Sequence, residues 1–195
     1  MIPDNAETTY WHGGFPGIKV GQHLLSPEAA AAARIPIAYT PRERPEHGIV
    51  SRTDRVYFST VQEFARAYAF QTEVVTPSGT LTSRGTLYRI RPTGPVEEDP
   101  DFAGHGVSWC APGAVVEEVV ETDVRMRARD ATRAIGIHST WDDGRPIYLE
   151  DGRLQITWQM ESVGLTQKDV DEIVRPWTPS DRALERINAL VLLRR

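Results

Sequence analysis

Residues 86–100 decide the fold of this chain, and they read TLYRIRPTGPVEEDP. Apolar and polar side chains alternate over residues 86–90, which predicts a β-strand. The PTGP sequence at residues 92–95 then ends the strand in a turn. The turn leads into the acidic run EED, which ends at Asp99. Because Pro100 biases the preceding residue towards an extended backbone, it fixes the direction of the Asp99 carboxylate.

Two aromatic segments precede this stretch, and each belongs to a short predicted strand. Residues 9–11 (TYW) are followed by His12 and two glycines, whose backbone amides are exposed at a strand end. Residues 55–58 (RVYF) contain Tyr57 and run into Ser59, a residue that suits the cap of a following helix. Taken singly, these features are more typical of ordinary packing than of a functional site, and an acidic run is usually a solvated loop.

The remaining elements predict an α+β fold rather than a doubly wound sheet, because short strands and few long helices occur without regular βαβ alternation. A further strand is expected at residues 114–120. A hairpin is expected over residues 147–159, with Ile156 and Trp158 covered by the core. Helices are expected at residues 27–33, 61–69, 166–174 and 179–193. Thr166 is expected to cap the third of them and Ser180 the fourth.

Two aromatic residues and the single cysteine are interpreted as core residues. Phe64 and Tyr68 lie one helical turn apart on one face of the helix expected at residues 61–69. Cys110 follows Trp109 and has no second cysteine in the chain. Packing is therefore favoured over a nucleophilic role for its thiol.

The composition excludes several classes of protein. With 195 residues, 40% apolar residues and one cysteine, the chain needs no disulfide and can hold no multi-cysteine zinc site. Residues 1–9 are polar, so no secretory leader is expected, and no apolar run approaches the roughly 20 residues that span a bilayer. A cytoplasmic protein without a membrane partner is therefore expected. The net charge of −5 argues against a nucleic-acid partner held through its phosphates. Phosphate-binding glycine loops and paired zinc-binding histidines are also absent from the sequence.

The order of the three segments resembles that of the rifamycin ADP-ribosyltransferases, small bacterial antibiotic-resistance enzymes of the poly(ADP-ribose) polymerase and diphtheria-toxin superfamily. Residues 87–100 carry the most specific part of the resemblance. Residues 17–27 (GIKVGQHLLSP), Ser108 with Trp109, and the strand at residues 115–120 also resemble the segments at the corresponding places in that family. The resemblance covers residues 9–121, and residues 122–195 form an extension in which only the C-terminal helix has a loose counterpart.

This resemblance implies a single ADP-ribosyltransferase domain over residues 1–195, with two small, mostly antiparallel sheets forming an NAD cleft and few helices. NAD would be the co-substrate, no metal would be needed, and ADP-ribose would pass to an acceptor hydroxyl with release of nicotinamide. The family's catalytic triad falls on His12, Tyr57 and Asp99. NAD would be bound by His12, by the backbone of Gly13, by the ring of Tyr57 and by the space beside the small Ser59.

Each role in this site makes chemical sense. Cleavage of the nicotinamide–ribose bond creates an oxocarbenium-like centre, so the site must orient the ribose and stabilise positive charge. By resemblance, His12 would bond the nicotinamide-side ribose or a nearby phosphate, and Tyr57 would stack on the nicotinamide ring. Asp99 would bond a ribose hydroxyl or orient the acceptor, its negative charge favouring the developing cation.

The chain departs from the family in ways that leave the acceptor open. The loop between His12 and Tyr57 is longer, residues 72–84 form a polar insertion, and the tail is longer. The acceptor could be a rifamycin-type antibiotic, another small molecule, a protein or a nucleic-acid end. Alternatives are a toxin or phage-conflict enzyme acting on a macromolecule, an RNA 2′-phosphotransferase and a catalytically inactive binding module. The phosphotransferase would need several arginines along the cleft, and the inactive module is disfavoured because all three triad residues are present. The sequence does not determine the oligomeric state.

Overall fold

The computed structural model describes residues 8–33, 52–70, 72–76 and 79–194. The chain divides into two compact units, Met1–Met126 and Arg127–Arg195, and each has its own hydrophobic cluster. The boundary falls shortly after residue 121, where the family resemblance ends. The expectation of one domain over residues 1–195 stays a prediction, because it concerns how cooperatively the two units unfold.

The first unit contains nearly all of the extended structure. Its strands are β1 (Tyr10–Gly14), β2 (His23–Leu25), β3 (Val56–Ser59), β4 (Thr72–Thr76), β5 (Gly79–Ser83), β6 (Thr86–Thr93), β7 (Glu97–Glu98), β8 (Ser108–Ala111) and β9 (Gly113–Glu121). Its helices are α1 (Pro27–Ala32), α2 (Gln62–Phe70) and a short 3-10 turn (Pro100–Phe102). This arrangement confirms the α+β class.

Seven strands within the described residues form one antiparallel sheet in the order β2-β9-β6-β1-β3-β8-β7, and β4 pairs separately with β5. Strands β1 and β6 are in register from Tyr10↔Ile90 to Gly14↔Thr86. In contrast, Trp11↔Ser59 is the one register pair between β1 and β3 among the described residues. The expectation of two small sheets is therefore not confirmed, because this single pair joins the two halves into one sheet.

Side chains on one face of the sheet form the main core of the first unit. Tyr10, Phe58 and Ile90 are all buried in it, and the rings of Tyr10 and Phe58 meet edge to face with centroids 5.0 Å apart. In β3, Val56 and Phe58 point into this core. Because side chains alternate along a strand, Tyr57 between them lies on the opposite face. Burying each such side chain stabilises the fold by about 1.5–3 kcal/mol.

Helix α2 packs very closely on the other face of β1. A Cβ atom at Gly13 would lie only 1.8 Å from the carbonyl oxygen of Ala65 in the helix. Phe64 is buried as expected, but the prediction that Tyr68 is a core residue is wrong, because 45% of its surface is exposed. The rings of Phe64 and Tyr68 do contact, with centroids 5.2 Å apart, so Tyr68 covers the edge of the core from outside. Cys110 is fully buried, which confirms its packing role.

The second unit is helical. Its helices are α3 (Ala128–Gly136), α4 (Trp158–Ser162), α5 (Gln167–Ile173) and α6 (Ser180–Leu193). The capping box predicted at Thr166 is present, with Asp169 as its reciprocal partner. Ser180 is the first residue of α6 rather than its cap; Pro179 holds the cap position and makes no side-chain cap bond.

The hairpin expected at residues 147–159 forms over residues 147–155 and fails beyond them. Tyr148 and Leu154 form an antiparallel bridge. On either side of it, the Leu149 amide donates to the Arg153 carbonyl at 2.8 Å and the Gln155 amide donates to the Ile147 carbonyl at 2.9 Å. Thr157 then caps α4 by accepting a hydrogen bond from the Met160 amide, so a helix begins where the second strand was expected to continue. Ile156 is buried, whereas Trp158 is 54% exposed. No helix in the described part of the chain is long and apolar enough to cross a membrane.

Candidate functional site

The last three strands of the sheet bring several of the predicted residues onto one face. Tyr57 in β3 is in register with Cys110 in β8, which is in register with Glu97 in β7. The next row pairs Ser59 with Ser108. The carbonyl oxygen of Ser108 accepts a hydrogen bond from the Asp99 amide at 3.0 Å, which continues that row. Because residues two apart share a face of a strand, Asp99 lies on the same face as Tyr57.

Asp99 is buried, and both of its carboxylate oxygens are hydrogen-bonded. Oδ2 accepts from the Ser108 hydroxyl at 2.7 Å, and Oδ1 accepts from the Asp101 amide at 3.0 Å. Burial raises the pKa of this carboxyl above its ordinary value, while the bonds from Ser108 and Asp101 act in the opposite direction. The result is a carboxylate held in one orientation in a poorly solvated position.

The three consecutive acidic residues have three different environments. Glu97 forms ion pairs with two arginines of the segment before β3. Glu98 is exposed, and its Oε1 accepts from the amides of Gly104 at 2.8 Å and Gly106 at 3.2 Å. Among the three, Asp99 alone is buried. The carboxylates are therefore not interchangeable.

Tyr57 is half-buried, and its hydroxyl oxygen accepts a hydrogen bond from the backbone amide of Arg52 at 2.8 Å. Burial raises the pKa of the phenol to about 12, the bond from the Arg52 amide opposes this, and the charges of Asp99 and Asp101 add to it. The phenol is therefore neutral at physiological pH.

His12 is joined to the backbone of Tyr57 rather than to its ring. Its Nδ1 atom lies 2.8 Å from the Tyr57 carbonyl oxygen. A carbonyl only accepts, so Nδ1 carries the proton in this bond. Burial lowers the pKa of the imidazole, although the bond to Tyr57 opposes this effect. The neutral ring thus presents Nε2 as a hydrogen-bond acceptor.

The surroundings of His12 confine its ring closely. The Tyr88 ring lies nearly parallel to it, with centroids 6.3 Å apart and an interplanar angle of 27°. A Cβ atom at Gly14 would lie 2.4 Å from Nε2 of His12. The Tyr88 hydroxyl also donates to the Phe15 carbonyl at 2.7 Å, which holds the chain just after β1.

Of the predicted residues, His12 and Tyr57 meet at a seam between β1 and β3, whereas Asp99 follows β7, which is separated from β3 by β8. By strand alternation, the His12 side chain lies on the face of Tyr10 and Phe58, whereas Tyr57 and Asp99 lie on the other face. The imidazole reaches across the seam to the Tyr57 carbonyl because the register between the two strands stops at the Trp11↔Ser59 pair. The structure places Asp99 and Tyr57 on the same face with β8 between their strands, and it connects His12 to Tyr57 through a backbone bond.

Ser59 and Gly13 also have structural roles in the fold. The Ser59 hydroxyl donates to the Val107 carbonyl at 2.6 Å and accepts from the Val61 amide at 2.9 Å. Its donor is therefore used within the protein, and what it offers a ligand is its small size. At Gly13 the absent side chain is explained by the close approach of Ala65, and the backbone is what remains for a ligand.

Several residues that shape this seam carried no role in the sequence analysis. Ser108, which orients Asp99, was noted for its position but not for its hydroxyl. Phe102 packs edge to face on Phe64, with ring centroids 5.0 Å apart, and so ties the turn after Asp99 to α2. In the sequence, the helical spacing of Phe64 and Tyr68 indicated an aromatic face here but not its contact with Phe102.

No group of three or more His, Cys, Asp and Glu side chains that could hold a metal ion occurs in the described part of the chain. The chain matches no protein-family model, and no curated protein is significantly similar to it.

Proposed function

We propose that this protein transfers ADP-ribose from NAD to an acceptor hydroxyl and releases nicotinamide. The observation that carries the proposal is the bond between His12 Nδ1 and the Tyr57 carbonyl, 2.8 Å long, across the seam where β1 and β3 part. On the face that carries the Tyr57 ring, beyond β8, lies Asp99, a buried and doubly hydrogen-bonded carboxylate. The resemblance over residues 9–121 names the same three residues.

The chemistry of NAD cleavage explains the properties of Asp99. As nicotinamide leaves, positive charge develops on the ribose ring, as it does in glycoside hydrolysis. A fixed carboxylate in a poorly solvated position stabilises such a charge more than water does. Ser108 and Asp101 hold the carboxylate still, so it needs no reorganisation when the charge appears.

His12 and Tyr57 account for binding in this proposal. Nε2 of the neutral imidazole accepts a hydrogen bond from a ribose hydroxyl, because Nδ1 is already committed to the Tyr57 carbonyl. The half-buried Tyr57 ring offers a flat surface for the nicotinamide ring, and the small Ser59 lies on the same face of β3. The leaving nicotinamide needs no acid, because its nitrogen keeps the electron pair of the broken bond and the ring leaves neutral. The acceptor hydroxyl releases its proton to solvent as its oxygen bonds to the ribose.

The acceptor we propose is the hydroxyl of a small molecule, with a rifamycin-type antibiotic as the first to test. This choice rests on the family resemblance alone. An RNA 2′-phosphotransferase fits less well, because Arg52 and Arg55, two arginines near this face in the described part of the chain, are already paired with Asp54 and Glu97. Those guanidinium groups are therefore committed to carboxylates rather than to phosphates.

Incubating the purified protein with NAD and measuring nicotinamide release tests the proposal. We expect slow release without an acceptor and faster release with rifamycin, together with a product heavier by one ADP-ribosyl group. Binding of NAD without release under either condition would indicate an inactive binding module. Neither binding nor release at millimolar NAD would refute the proposal.

A further inference from the structure

We infer that Glu97 is a positioning residue for Tyr57 and that it acts through Arg52. The inference rests on the proposed function only for the identity of the ligand that Tyr57 meets. Glu97 is separated from Tyr57 by a whole strand, since both are in register with Cys110 in β8. The connection between them runs instead through the segment that precedes β3.

That segment is held to β7 by Glu97. Oε2 of Glu97 pairs with NH1 of Arg52 at 2.8 Å, and Oε1 pairs with NH2 of Arg55 at 3.1 Å. Asp54 completes the cluster, because its two oxygens accept from Nε and NH2 of Arg52 at 3.1 and 3.0 Å and Oδ2 also accepts from Arg55 at 2.7 Å. The carboxylates of Asp54 and Glu97 therefore share the two guanidinium groups of Arg52 and Arg55.

The consequence for the site lies in the backbone of Arg52. Its amide donates to the Tyr57 hydroxyl at 2.8 Å. The side chain of Arg52 thus faces Glu97 while its amide fixes the far end of the Tyr57 ring. Because Tyr57 is only half-buried, this bond at the ring's tip restricts a side chain that packing does not enclose fully.

Because the side chains of this Arg52–Asp54–Arg55–Glu97 cluster are partly exposed, we expect it to affect the orientation of Tyr57 more than the free energy of unfolding. Arg52 and Glu97 are each about two-fifths exposed, and a single pair of this kind contributes little to the free energy of unfolding. A cluster that ties residues 52–55 to the edge strand nevertheless restrains that segment locally. Loss of Glu97 should therefore loosen Arg52 without loosening the sheet.

Amide hydrogen exchange resolved by residue measures this directly in the free protein. We expect Glu97→Gln to speed exchange of the Arg52 amide about tenfold, a ratio equivalent to about 1.4 kcal/mol of local opening. Tyr57→Phe, which removes the acceptor, should do the same. Glu98→Gln is the matched control, because this neighbouring carboxylate binds the amides of Gly104 and Gly106 instead.

Amides of the β3–β8 ladder report whether any change is local. They should exchange at the wild-type rate in all three variants. If Glu97→Gln proves too unstable to study, Arg52→Leu removes the same ion pair and keeps the Arg52-position amide. Unchanged exchange of that amide in Glu97→Gln or Arg52→Leu, or equal acceleration across the ladder, overturns the inference.

NAD affinity supplies the second readout. Glu97→Gln and Tyr57→Phe should each weaken NAD binding severalfold, and the double variant should bind no more weakly than Tyr57→Phe alone, because both remove the same restraint. Additive losses would contradict the inference. If the protein binds no NAD at all, the proposed function fails while the exchange experiment still decides the role of Glu97.

Discussion

The Nδ1 atom of His12 donates a hydrogen bond to the carbonyl oxygen of Tyr57, 2.8 Å away, at the point where β1 and β3 cease to pair. A side chain thereby occupies a place that a ladder bond would otherwise fill. The bond assigns the proton of the neutral imidazole to Nδ1 and leaves Nε2 as an acceptor. This one contact links a strand end, a protonation state and a candidate ligand site.

NAD affinity should stay constant as the pH falls from 8 to 6.5. Burial lowers the pKa of His12 below its ordinary value of about 6.5, so the ring remains mostly neutral where an exposed histidine would be half protonated. At lower pH protonation removes the Nε2 acceptor, and affinity should decline. Calorimetric titration across this range checks the prediction, and a decline centred above pH 6.5 would contradict it.

His12→Asn should weaken NAD binding by roughly fivefold to tenfold, because it removes an acceptor that contributes about 1 kcal/mol. The asparagine amide can still donate towards the Tyr57 carbonyl, so the melting temperature at pH 8 should change little. Between pH 6.5 and 5 the wild type should lose stability, since the unfolded chain takes up a proton that the folded His12 resists. The variant should lack that part of the loss, which thermal melts at both pH values would reveal.

Asp99→Asn should lower the rate of nicotinamide release by about 10²–10³-fold, or roughly 3–4 kcal/mol, because it removes one fixed charge from the transition state. NAD affinity should change far less, since the cation is absent from the ground state. Glu98→Gln should remain within a few-fold of wild type. Steady-state assays of both variants provide the comparison, and equal losses would show that Asp99 has no special role.

The same Asp99→Asn substitution should raise the melting temperature at pH 7. Burial raises the pKa of Asp99 in the folded state, so its contribution to stability is complete below the unfolded pKa of about 3.9 and is lost as the pH rises through the folded value. The stabilising effect should therefore vanish near pH 3.5. Thermal melts at pH 3.5 and 7 test this sign, and a variant less stable at pH 7 would mean that the bonds from Ser108 and Asp101 outweigh desolvation.

Gly13→Ala and Gly14→Ala should have different effects although the residues are adjacent. At Gly13 the new Cβ meets the Ala65 carbonyl in α2, which cannot yield, so stability should fall by about 1–3 kcal/mol or more. At Gly14 the new Cβ meets the end of the His12 side chain, so NAD binding should weaken with a smaller loss of stability. Denaturant melts and NAD titrations of both variants separate the two cases.

A protein ending at residue 126 should unfold cooperatively, because the hydrophobic clusters of the first unit consist of residues up to Met126. A protein ending at residue 121 should be less stable by about 1.5–3 kcal/mol, since it lacks the fully buried Val124. Calorimetry of both proteins makes the comparison. A cooperative transition in the longer one would contradict the single-domain prediction.

The candidate site was only partly predictable from the sequence. The resemblance pointed to His12, Tyr57 and Asp99, and the structure places Tyr57 and Asp99 on one face of the sheet, with β8 between β3 and β7. It could not indicate that Ser108 would orient Asp99, because that bond joins residues on separate strands. The Glu97–Arg52 pair joins positions 45 residues apart in the chain and left no local pattern.

What the sequence by itself determined is local. The alternation and turn at residues 86–95 and the capping box of Thr166 and Asp169 involve partners within a few residues, so their geometry follows from backbone preferences alone. The tertiary structure decided the exposure of Tyr68 and Trp158 and the parting of β1 from β3. Exposure and strand pairing depend on which distant surfaces meet, and the free energy of those contacts outweighs the weak local preference of any single residue.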